Sequence, residues 1–139
     1  MNLVLQARQK NKDLTFDSGM ELIWFLEDAY EQRDIDKFLT LVSIDFKKDF
    51  FKLKFNLERE FTANKKLDLY ILLQSKNSDL SGDIYSYEIC WSKRLIKLGE
   101  DYCQRGFGKA TLVLKRCRVY LKNNLMLFDI LGDSPFNHF

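Results

Sequence analysis

Apolar positions along this chain change period near its middle, from a helical repeat to an alternation of two. In the first half Leu22, Phe25, Leu26, Ala29 and Tyr30 share one face of a helix that starts at Asp17 or Ser18, with Ile23 at its margin. Ser18 and Glu21 stand at capping-box spacing. Glu21, Glu27, Asp28, Glu31 and Gln32 take the opposite side, and Trp24 falls among these acids rather than with the apolar residues. Arg33-Asp34 breaks this helix, and Asp34 caps a short second one with Ile35, Phe38, Leu39 and Val42 on its inner face. A turn over 43–46 leads into a third helix, whose stripe is Phe46, Phe50, Leu53, Leu57 and Phe61, leaving Phe51 and Phe55 well off it among lysines. Alternation then takes over. Residues 67–76 put Leu67, Leu69, Ile71 and Leu73 on one face, and residues 84–95 set Tyr85, Tyr87, Ile89 and Trp91 against Ser86, Glu88, Cys90 and Ser92. A third strand begins near Tyr102, with Gly106 and Gly108 marking a bulge or a close backbone approach, and carries Ala110, Leu112 and Leu114 on one face. Lys122-Asn123-Asn124 signals the turn into a fourth strand over 125–131, which Gly132-Asp133 and Pro135 end. The order predicts an α+β domain over 17–139, with N-terminal helices packed on a mostly antiparallel sheet, preceded by a polar tail over 1–16.

Composition sharpens this picture in two places. Twelve of the twenty aromatic residues are Phe, more than a small core needs, so some rings line a cavity or an interface. Trp24, Phe51 and Phe55 are the candidates for an interface, which predicts a homodimer. A net charge of +2 supplies no bulk attraction to nucleic acid, which is not expected as a partner, and no apolar run is long enough for membrane insertion. Charge is nevertheless uneven: residues 17–36 hold seven acids against Arg33 alone, and residues 47–66 hold seven bases against three acids. Cys90, Cys103 and Cys117 have neither disulfide nor zinc-ligand spacing, so no metal or other cofactor is expected. Such thiols fit a reducing, cytoplasmic compartment, the alternative being the mature part of an exported protein. The one histidine, His138, is badly placed for a nucleophile–base pair.

The run FLEDAYEQRDIDKFLTLVSIDF, the pair Trp91 and Arg94, the R-G-x-G-x-A run from Arg105 and the closing FDILGDSPF resemble bacterial members of the nuclear transport factor 2-like (SnoaL-like) superfamily. The resemblance covers about residues 17–136. It implies a cone-shaped fold in which helices close a strongly curved sheet around a pocket, often dimeric through that sheet, and catalytic in some members only. In an ungapped match through Asp34, the positions of the ketosteroid isomerases' oxyanion-hole tyrosine and general-base aspartate fall on Leu26 and Phe50. Neither side chain can exchange a proton.

Residues expected to line the pocket are Tyr30, Asp45, Phe46, Trp91, Arg94 and Asp129. Asp45 reads either as a cap of the third helix or as an acid–base group whose pKa aromatic walls would raise. Asp129, flanked by apolar residues, needs a partner that Arg94 or Arg105 can supply, either as a structural ion pair or to orient a ligand. The resulting expectation is a non-catalytic domain that binds a small apolar ligand or a protein partner and associates with itself. The alternative is a small lyase, isomerase or hydrolase using a pocket aspartate.

Overall fold

The computed structural model describes residues 18–119 and 122–136; the expected N-terminal tail and His138 lie outside them. Helix α1 (Ser18–Glu31) buries Ile23, Leu26, Ala29 and Tyr30. It is rotated from the expected setting. Phe25 is 44% exposed and Glu27 is buried, because the Glu27 carboxylate accepts the Ile71 backbone N–H at 2.9 Å. That rotation also brings Trp24 half-buried against the core instead of out among the acids. The helix stops where Arg33 turns left-handed (φ 57°), with the Asp34 N–H bonded back to the Ala29 carbonyl at 3.0 Å.

Asp34 then caps α2 (Ile35–Thr40), its carboxylate accepting the Lys37 N–H at 3.0 Å. The following loop runs beside the last strand. Leu41 and Ser43 bond the backbone of Leu127, and the Lys47 N–H reaches the Phe128 carbonyl at 2.8 Å. Helix α3 (Phe50–Ala63) is capped by Asp49, which accepts the Lys52 N–H at 3.1 Å, and not by Asp45. Tied to the strand, the loop keeps Phe46 out of the helix, so the inner stripe is Leu53, Leu57 and Glu60.

Strands β1 (Asn64–Ser78), β2 (Ile84–Lys97), β3 (Gln104–Val119) and β4 (Lys122–Gly132) form an antiparallel meander in that order, curved around the helices. Each is longer than the alternation suggested, save that β3 starts at Gln104 instead of Tyr102, and Lys122 to Asn124 belong to β4 instead of a turn. Leu67, Leu69 and Ile71, then Tyr87, Ile89, Trp91, Lys93 and Leu95, then Ala110, Leu112 and Leu114 face the helices. A bulge between Val113 and Leu114 shifts the register so that Leu127 and Ile130 both point inward. Gly108 fulfils the expected close approach: a Cβ there would stand 2.8 Å from the Trp91 ring. At the far end Gly132 (φ 82°) reverses the chain. Asp133 to Phe136 then fold back over the core, with the Phe136 ring fully buried 4.9 Å from Phe38 and 5.9 Å from Tyr30.

Candidate functional site

Three polar side chains meet between helices and sheet: Tyr30 from α1, Glu60 from α3 and Lys93 from β2. Each is fully buried. The Lys93 ammonium donates to Glu60 Oε1 and to the Pro135 carbonyl, both at 2.8 Å, and the Tyr30 hydroxyl donates to the same Glu60 oxygen. The Tyr30 and Trp91 rings flank the ammonium at 5.4 and 5.6 Å. The Trp91 indole N–H donates to the Asp133 carbonyl at 2.7 Å, so lysine and tryptophan together hold the C-terminal turn in place.

Position follows from local patterning. Glu60 lies one turn beyond Leu57 on the inner stripe of α3, and Lys93 lies in phase with Ile89, Trp91 and Leu95. Burial raises the Tyr30 pKa, and the Glu60 charge raises it further, so the phenol stays a hydrogen-bond donor. Lys93 is pulled below its ordinary value by burial, against which the Glu60 carboxylate acts. Glu60 Oε2 accepts no hydrogen bond among the described residues. Such a triad has the groups for proton transfer. It lacks a surface a substrate could reach, since all three side chains are sealed.

The expected pocket residues are dispersed. Tyr30 and Trp91 meet around Lys93. Phe46 is half-buried and lines a groove of about 360 Å³ between α3 and the end of β4, beside Lys52, Leu53, Asn56 and Ile130. Asp45 is exposed and 3.6 Å from Lys115. Arg94, next to the inward Lys93, projects from the helix-free face and pairs with Asp68 at 3.6 Å. Asp129 pairs with Lys48 at 3.6 Å, and not with Arg94 or Arg105, because the α2–α3 loop carries Lys48 alongside β4. Of the expected interface residues, Phe51 and Phe55 are 78% and 55% exposed. Glu60 and Lys93 are the two members of the triad that pattern reading passed over; the signal was their phase.

Carboxylate oxygens of Glu27, Asp28 and Glu31 lie within 4.8 Å of one another, but the Glu27 carboxylate anchors the Ile71 N–H, and acids alone do not define a metal site. No described helix is long and apolar enough to cross a membrane.

Solved structures share this architecture. A conserved protein from Planctomyces limnophilus superposes with a TM-score of 0.69 at 7% identity, covering 84% of this chain and 95% of that one. A nuclear transport factor 2-like superfamily protein from Salmonella enterica gives 0.63 at 11% identity, covering 83% and 87%. A ketosteroid isomerase-like protein from Erwinia carotovora gives 0.64 at 9% identity, covering 84% and 94%. No family model matches the sequence, and no curated protein matches it. The chain has the nuclear transport factor 2-like fold.

Proposed function

We propose that this nuclear transport factor 2-like domain is non-catalytic and works by association, binding a second copy of itself through the helix-free face of its sheet. The observation that carries the reading is the sealed interior. Tyr30, Glu60 and Lys93, the polar groups best suited to proton transfer, are spent on one another and on the Pro135 carbonyl. The apolar surplus lies outside. On the helix-free face Phe107 is 86% exposed, with Leu72 and Leu131 at 43% and 45%, bordered by the Asp68–Arg94 pair. A copy related by a two-fold axis would cover these side chains with their own equivalents. Sedimentation velocity in high salt, where charge-driven contacts are screened, tests this: the wild type runs as a dimer and Phe107→Lys as a folded monomer. A wild type that stays monomeric at its highest soluble concentration overturns the reading.

A second reading, small-ligand binding, draws support from the groove beside Phe46. Its volume of about 360 Å³ is enough for a small molecule over an apolar floor of Leu53 and Ile130. Thermal-shift titration with small apolar carboxylates separates the two readings, because a ligand in that groove raises the midpoint in Phe107→Lys as much as in the wild type.

A further inference from the structure

Two helix faces stand outside both the core and the sheet surface just described, each with exposed phenylalanine and of opposite charge. On α1, Glu21, Phe25 and Asp28 follow one another at helical spacing along the outer side, with Phe25 44% exposed. The surrounding segment, residues 17–36, carries seven acids and one base. On α3, Phe51 and Phe55 stand one turn apart at 78% and 55% exposure, with Lys52 and Arg59 beside them, the Arg59 guanidinium lying 5.5 Å from the Phe55 ring centroid. Residues 47–66 carry seven bases and three acids.

We propose that these faces are the two halves of one heterologous contact, in which α1 of one copy docks on α3 of the next. Phe25 fits between Phe51 and Phe55 as a ridge enters a groove, with Glu21 and Asp28 facing Lys52 and Arg59. The charge complementarity selects a second copy as the occupant: this chain itself supplies an acidic helix with an exposed phenylalanine, the counterpart of α3, whose exposed charges are Lys52, Lys54 and Arg59 against Glu58 and which carries two exposed phenylalanines. Because donor and acceptor patches differ, the contact does not close on itself as a two-fold dimer does; it generates rings or open assemblies. It is separate from the sheet-face dimer and survives loss of that reading.

Phe107→Lys is therefore used as the background, so that failure of the sheet-face dimer does not affect the result. In low salt this variant should self-associate in sedimentation velocity, and the association should weaken at least about tenfold in high salt. Adding Glu21→Lys with Asp28→Lys should abolish it, and so should adding Lys52→Glu with Arg59→Glu. Mixing those two charge-reversed proteins should restore it, since every α1–α3 pairing between them is again of opposite sign. Far-ultraviolet circular dichroism checks that each stays folded. Association that persists in either reversed protein alone overturns the proposal, as does a mixture that stays monomeric. Binding of the background variant to anionic vesicles or to RNA through Lys52 and Arg59, without self-association, likewise overturns it.

Discussion

Glu60 holds two donors on one carboxylate oxygen in a place without water access, and this makes the buried pair a conditional asset. Removing one ion leaves the other uncompensated, whereas removing both leaves an apolar gap that packing can fill. Lys93→Met should cost roughly 3–5 kcal/mol in urea unfolding, and Lys93→Met with Glu60→Leu should recover most of that loss. The pH response of the two neighbours has opposite signs. Tyr30 is raised above its ordinary 10.0, so the folded protein keeps a proton that the unfolded chain sheds; its contribution is full below pH 10 and declines as pH climbs past it. Lys93 is lowered from 10.5, so in the window just below that value the unfolded chain holds the extra proton and stability rises with pH. Tyr30→Phe deletes only the first effect. Its unfolding midpoint should fall less than that of the wild type between about pH 8 and pH 11.

At the scale of elements, the caps separate two aspartates that look alike in sequence. Asp49 closes the first turn of α3, while Asp45 sits exposed beside Lys115. Asp49→Ala should lower stability by about 1 kcal/mol in chemical denaturation, and Asp45→Ala should change it little. Helices and strands were legible because each rests on a local repeat: Asp34 caps where it was expected to, and β1 to β3 put the expected alternate residues on the core side, Leu73 and Tyr85 only half-buried among them. What escaped reading depends on distant partners. The choice of Asp49 over Asp45 is made by backbone bonds from the α2–α3 loop to Leu127 and Phe128. The setting of α1 goes with a bond across to the sheet, the Ile71 N–H donating to the Glu27 carboxylate. Glu60 and Lys93 were hidden for another reason: a charge in an apolar phase reads as an interruption until its counter-charge is seen on another element.

For the molecule as a whole, the decisive contacts join the turn over Asp133 to Phe136 to α1, α2 and β2. Phe136 lies against Phe38 and Tyr30, and Lys93 and Trp91 fasten the preceding turn by its carbonyls. Phe136→Ala should cost roughly 3–5 kcal/mol and lower the midpoint of the single cooperative transition without splitting it, as read by calorimetry. The domain-level outline was legible in the order of elements, but the sealing of the cone was not, because a Pro-Phe terminus reads only as a stop signal. That seal bears on how the protein is made. Helices α1 and α3 leave the ribosome long before the residues that cover them, so a nascent chain halted between Lys93 and Phe136 leaves Tyr30, Phe38 and the Glu60–Lys93 pair unshielded. Maturation of this domain therefore waits on its final turn, and truncated translation products should be cleared as unfolded polypeptide instead of accumulating as a smaller native form.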